Sequence, residues 1–141
     1  MVGRYKVITL CGSTRFKEDF LRAQKTLTLE GNIVISVGLF GHSGDSEVWE
    51  GKEEGEWSST KRMLDDMHLR KIDMADEIYV INRGGYIGES TRREIEYALT
   101  QGKKVKYMEK APSVESALDR KLYYYSRVKT TVTLSETVTA P

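Results

Sequence analysis

The sequence predicts a single α/β domain, flavodoxin-like or Rossmann-like, in which a parallel β-sheet of about five strands carries helices on both faces. Two observations support this prediction: short apolar segments alternate with amphipathic ones, and neither a repeat nor a change in composition divides the chain. Strands that alternate with helices require right-handed crossovers, and these produce a parallel sheet. We therefore expect residues 1–135 to form the domain and residues 136–141 to form a frayed tail.

Each element follows from a local pattern. The predicted strands are rich in β-branched and apolar residues. They cover residues 5–11, 32–38, 77–82, 104–108 and 127–134. The predicted helices have apolar residues at helical spacing, with capping residues before them or glycine after them. They cover residues 15–31, 58–76, 89–101 and 113–126, and a long polar loop covers residues 39–57.

Composition narrows the range of functions. The 141 residues carry a net charge of +1, so no overall field attracts nucleic acid. No apolar run reaches the roughly 20 residues of a membrane helix, and the single cysteine, Cys11, fits a reducing compartment. We expect a cytoplasmic protein without a nucleic-acid or membrane partner. His42 and His68 are the only histidines and no metal-ligand spacing appears, so we expect no metal and no cofactor.

Two loops are predicted at the carboxyl edge of the sheet, where ligands of such folds bind. "CGSTR" follows the first strand and "NRGGYIGEST" the third, and each leads into a helix N-terminus, which favours anions. Their candidate ligand-binding residues provide glycine backbone, hydroxyl groups, an aromatic ring or positive charge. They are Gly12, Ser13, Thr14, Arg15, Gly85, Tyr86, Gly88, Ser90 and Thr91. The alternatives are tight turns with helix caps, and for Tyr86 a space-filling role.

Glu94 is the most notable carboxylate of the second loop and its helix. It adjoins an apolar stripe of Ile95, Ala98 and Leu99 that should pack on the sheet. A partly desolvated carboxyl group has a raised pKa, as acid–base and nucleophilic carboxylates require. The alternative is a salt bridge to a nearby arginine, Arg92 or Arg93.

Three segments resemble the nucleoside 2-deoxyribosyltransferase superfamily, which includes deoxyribosyltransferases and N-glycosidases of deoxynucleoside and cytidine monophosphates. They are "LCGSTRF", "MADEIYVIN" and "GESTRREIEYALTQGKKV", and the resemblance covers roughly residues 5–108. It implies a flavodoxin-like fold, a small-molecule nucleoside or nucleotide ligand, and a homodimer or larger homo-oligomer. Glu94 matches the family's glutamate on this helix, so the resemblance implies that Glu94 attacks the anomeric carbon while the base leaves. Water or a second base then completes the turnover.

The chain departs from this family at the proton donor. The family's N-glycosidases carry an aspartate eight residues before the aspartate of the "AD" pair, and counting back from Asp76 reaches His68. A histidine has a pKa near neutrality and is therefore a candidate donor, although a half-buried structural histidine is an equal alternative. Asp65 and Asp73 are substitute acids.

Two other functions remain open. "RGGYIGEST" is similar to the P-G-G-x-G-T loop of nucleotide phosphoribohydrolases of the cytokinin-activating type, with Arg83 in place of the proline. A non-catalytic nucleotide sensor with the same pocket is the other alternative. In each case the acidic segment 41–57 is a candidate lid.

Overall fold

A computed structural model of the protein describes residues 1–41, 43–49 and 54–110. Its β-strands are β1 (Val7–Gly12), β2 (Ile33–Ile35), β3 (Glu77–Ile81) and β4 (Lys104–Tyr107). They pair in the order β2-β1-β3-β4, and every pair is parallel. The predicted α/β class with a parallel sheet is confirmed. The expected fifth strand, the helix at 113–126 and the tail lie outside the described residues.

Three α-helices connect these strands: α1 (Lys17–Leu29), α2 (Glu54–Asp73) and α3 (Glu89–Thr100). Helix α2 begins four positions before its predicted start, within the segment assigned to the polar loop. "EGEW" has no helical apolar spacing, so its sequence does not reveal this first turn. A short 3₁₀ turn at Ser46–Trp49 also lies within that loop. Within the described ranges, no helix combines the length and apolar character that crossing a bilayer requires.

Helices cover both faces of the sheet, as predicted. Successive residues of a strand point to opposite faces, and the neighbours Leu10 and Cys11 belong to different core clusters. Leu10 packs with Phe20 of α1 on one face. Cys11 lies on the other face, together with Ile72 of α2 and Ile95 of α3. The side chain of Cys11 therefore points towards α2 and α3.

The winding of the chain reverses between β1 and β3, because β2 pairs on one side of β1 and β3 on the other. In open α/β sheets this reversal opens a crevice beyond the carboxyl ends of the strands. The loops that follow β1 and β3 meet there. The guanidinium carbon of Arg15 lies 4.8 Å from the ring centroid of Tyr86. The ring of Phe16 contacts the same tyrosine edge to face, with a centroid separation of 6.0 Å.

Gly12 allows β1 and β3 to approach closely at this end of the sheet. It has a φ of +152°, and a Cβ atom there would lie 2.8 Å from the carbonyl oxygen of Ile81. We expect Gly12→Ala to lower the free energy of unfolding by about 1–3 kcal/mol, because the backbone is strained and the strands must separate. Gly88→Ala is the matched control. Its φ is −80°, and the three atoms nearest to the new methyl group all belong to the side chain of Tyr86. Equal losses for both variants in urea unfolding would contradict this account.

Candidate functional site

Three side chains from three different elements meet at the carboxyl end of β1. They are Cys11 of β1, His68 of α2 and Glu94 of α3, and their thiol, imidazole and carboxylate atoms all lie within 4.8 Å of one another. His68 reaches this place because it shares a helical stripe with Ile72, which packs on the sheet. Glu94 precedes the buried Ile95 on α3. We call these three residues the β1-end cluster.

His68 is neutral in this environment. Its Nε2 atom lies 3.1 Å from the carbonyl oxygen of Leu10 and 3.6 Å from Sγ of Cys11. A carbonyl oxygen only accepts, so Nε2 carries the proton and donates it to Leu10. Burial lowers the pKa of His68 to about 4, and the charge of Lys71 acts in the same direction. The expected pKa near neutrality is therefore wrong, because the stripe that carries His68 faces the buried end of the sheet.

Glu94 has the raised pKa that the sequence predicts. Its side chain is partly buried, and burial raises its pKa to about 8. The charge of Asp65 acts in the same direction, whereas a hydrogen bond from the Cys11 thiol and the charges of Arg93 and Lys61 oppose it. Burial also raises the pKa of Cys11 well above its usual value, so the thiol keeps its proton and donates it towards the Glu94 carboxylate. All three groups of the cluster are thus largely uncharged at neutral pH.

The salt bridge considered as an alternative for Glu94 is not formed by the neighbouring arginines. Arg92 pairs with Glu89 and Glu96, and Arg93 pairs with Glu89 at 3.2 Å. Within the described part of the chain, Glu94 takes part in no ion pair. Burial is therefore the main cause of its raised pKa, and the charges of Asp65, Arg93 and Lys61 act on it without a salt bridge.

A cavity of about 390 Å³ lies between α2 and α3 beside the cluster, and we call it the α2–α3 cleft. Glu94, Asp65 and Ser90 all line it, so three of the predicted site residues share one space. Asp65 is exposed and pairs with Lys61 at 3.0 Å. The volume falls within the range of about 300–1,000 Å³ that is typical of small-molecule sites.

The loop after β1 forms a tight turn, as one of the two alternatives for its sequence had it, but the expected Ser or Thr cap is wrong, because the N-cap of α1 is Phe16 and no side chain caps the helix. The Ser13 hydroxyl accepts a hydrogen bond from the backbone N–H of Arg15 at 3.3 Å. The carbonyl of Ser13 accepts another from Phe16 at 3.0 Å. Gly12 and Thr14 are partly buried, and Arg15 is exposed beside Tyr86. Ligand binding by this loop stays a prediction.

The loop after β3 requires the backbone freedom of its glycines. Gly84 and Gly85 adopt φ values of 65° and 84°, in the left-handed region that favours glycine. Gly88 is the N-cap of α3, and no side chain at this position accepts a hydrogen bond from the first backbone N–H groups of the helix. Thr91 is only 4% exposed, which leaves little surface for the predicted ligand contact.

Polar contacts outside the loop hold it in place, and the sequence did not indicate them. Arg83 pairs with the buried Asp19 of α1, and this partner lowers the pKa of Asp19. The side chain of Asn82 forms two hydrogen bonds with the backbone of Glu109, whose carboxylate accepts the N–H of Gly84 at 3.0 Å. The loop is therefore anchored to both α1 and the segment after β4.

Cys11 is the member of the cluster that the sequence did not assign to the site. Strand alternation was the available signal, since it places Leu10 and Cys11 on opposite faces. The cluster also brings three possible metal ligands together, although no metal-ligand spacing appears along the chain. The expected absence of a metal stays a prediction. The proposed lid at 41–57 stays a prediction, since residues 42 and 50–53 lie outside the described part.

Comparison of the chain with protein-family models, with curated proteins and with solved structures found no match in any of the three.

Proposed function

We propose that the protein cleaves or exchanges the N-glycosidic bond of a nucleoside or a nucleoside 5′-monophosphate, with Glu94 as the nucleophile. One observation carries this proposal: the Glu94 carboxyl group is partly buried, has an oxygen within 4.8 Å of the Cys11 Sγ atom and adjoins the α2–α3 cleft. A nucleophile has to lie about 3 Å from the anomeric carbon and be held by a rigid element. Helix α3 supplies such an element. The resemblance to the deoxyribosyltransferase superfamily supports the same assignment.

The reaction follows the retaining type. A bond forms between a Glu94 oxygen and the anomeric carbon as the bond to the base nitrogen breaks, and the base leaves with a proton. Water or a second base then attacks the same carbon and releases Glu94. Glu94 attacks in its ionised form, which the positive charge developing on the sugar favours, so the proton that it carries at neutral pH has to leave first. Asp65 lines the same cleft and is the proposed group that takes up this proton and passes it to the departing base, since His68 is neutral and its Nε2–H is bonded to Leu10.

The direct test is to incubate the protein with a panel of nucleosides and 5′-monophosphates, with a chelator present, and to measure free base by chromatography. We expect base release from at least one member of the panel. Release only from cytokinin-type ribosyl monophosphates would favour the phosphoribohydrolase alternative. Stoichiometric binding without released base would favour the nucleotide sensor. The oligomeric state implied by the resemblance is tested separately by sedimentation.

We also propose that the phosphate of a monophosphate lies between the loop at 12–15 and the start of α3. Losing one charge-assisted hydrogen bond costs about 1.5–3 kcal/mol. Ser90→Ala and Ser13→Ala should therefore weaken monophosphate binding by this amount and leave nucleoside binding unchanged. Thr100→Ala is the control, because Thr100 lines the same cleft but its hydroxyl is bonded to Tyr97 at the far end of α3. Equal effects on both ligands in calorimetry would place the phosphate elsewhere.

A further inference from the structure

The β1-end cluster has the composition of a transition-metal site. Its thiol, imidazole and carboxyl groups are the three side-chain types that bind Zn²⁺. The Cys11 Sγ and His68 Nε2 atoms lie 3.6 Å apart. In a tetrahedral site, with Zn–S of about 2.3 Å and Zn–N of about 2.0–2.1 Å, these two ligand atoms lie about 3.6 Å apart. Two of the three donors therefore already have the spacing that the metal requires.

We propose that the cluster binds a single Zn²⁺ ion through Cys11 Sγ, His68 Nε2 and one carboxylate oxygen of Glu94. Structural zinc sites have four protein ligands, whereas three ligands leave a position open. Glu94 lines the α2–α3 cleft, so the cleft is the proposed path of the ion from solvent and the side on which the open position is expected. Bound Zn²⁺ also inhibits base release, because a carboxylate that ligates the metal cannot attack the sugar. This second part depends on the proposed function.

The charge balance of the cluster favours a divalent cation. An isolated thiolate or carboxylate is costly in a buried place, so neither charge is stable there without a partner. Zn²⁺ with one thiolate, one carboxylate and one neutral imidazole has a net charge of zero. On binding, Cys11 and Glu94 release their protons to solvent. The proton of His68 moves to Nδ1, and the hydrogen bond from Nε2 to Leu10 is given up.

The first experiment treats the 141-residue protein with a chelator and then titrates it with Co²⁺. Cys11 is the only cysteine in the chain, so a thiolate-to-cobalt charge-transfer band in the near ultraviolet can come only from this residue. We expect this band to saturate at one Co²⁺ per chain and to disappear when Zn²⁺ is added. If no such band forms with excess Co²⁺, the proposal is wrong.

Variants distinguish Zn²⁺ that is bound by the three residues of the cluster from cations that are attracted by the carboxylates of the cleft. Cys11→Ser and Glu94→Gln should each weaken Zn²⁺ binding at least about tenfold, since even changes outside the ligand set of a metal site typically cost 10–100-fold. Asp65→Asn is the control, because Asp65 is a carboxylate of the same cleft but not of the cluster. It should leave Zn²⁺ affinity within about threefold of the unaltered protein. A loss as large as that of Cys11→Ser, with both variants folded by circular dichroism, would overturn the proposal.

The two proposals fail in different ways. A cobalt–thiolate band without base release from any substrate would reject the proposed function and keep the metal site. Base release in a chelator without any cobalt–thiolate band would reject the metal site alone. If both hold, Zn²⁺ should suppress base release and a chelator should restore it. Base release that is unchanged with Zn²⁺ bound to the cluster would overturn the inhibitory role.

Discussion

Replacing Glu94 with alanine is expected to lower base release by at least about 10³-fold, because the variant has no group that can form the covalent intermediate. The fold should persist, since the side chain adjoins the core but is only partly buried. Nucleoside binding should change little for the same reason. The rate is measured with the chelator present, so that bound metal does not affect the comparison.

Two further variants make this result specific. Glu94→Gln keeps the size of the side chain and an oxygen that accepts from Cys11, yet should be about as inactive as the alanine variant. Glu89→Ala removes an exposed carboxylate one turn earlier on α3, which pairs with Arg92 and Arg93. Its effect should stay below about tenfold, because solvent already screens that charge. Full activity in Glu94→Ala would contradict the proposal of glycosyl transfer through Glu94 but would not contradict nucleotide binding.

Replacing Phe20 with alanine is expected to lower the free energy of unfolding by about 3–5 kcal/mol, the usual cost of removing a fully buried aromatic side chain. Phe20 is 0% exposed and packs with Leu10 and Ile81 under α1. Its ring also contacts Phe40 edge to face, with a centroid separation of 5.5 Å. Chemical unfolding followed by circular dichroism measures the loss.

Leu21→Ala is the neighbouring control, since the side chain of Leu21 is 44% exposed on the same helix. It should lower the free energy of unfolding by less than about 1 kcal/mol. A similar loss for both positions would show that α1 does not pack on the sheet through Phe20. The packing matters for the site, because α1 fixes one end of the loop at 12–15.

The elements could be predicted where burial leaves a clear pattern. Strands β1 and β3 lie in the interior of the described sheet and read as apolar runs, and their predicted bounds differ from the structure by at most two residues. Strand β2 was predicted over seven residues and covers only Ile33–Ile35. Among the described strands β2 pairs only with β1, and the apolar segment is longer than the three residues that form this pairing. Helix α2 shows the opposite error, since its first turn has no apolar spacing.

The site was predictable only in part. Glu94 could be found because the stripe that buries it is local to α3, and Asp65 and Ser90 line the same cleft. The contact between Cys11 and His68 joins residues 57 positions apart. This contact depends on where α2 packs along β1, and no local sequence pattern determines that position. The low pKa of His68 has the same origin, because burial at the end of the sheet is a property of the tertiary structure.

The central claim is that Glu94 forms a covalent bond to the sugar. The most direct measurement is mass spectrometry of the metal-free protein, trapped during turnover of a slow nucleoside substrate and then digested. We predict a pentosyl adduct on the peptide that contains Glu94, and no adduct in Glu94→Gln. Base release at full rate without any adduct on that peptide, or with the adduct on a different carboxylate, would contradict it.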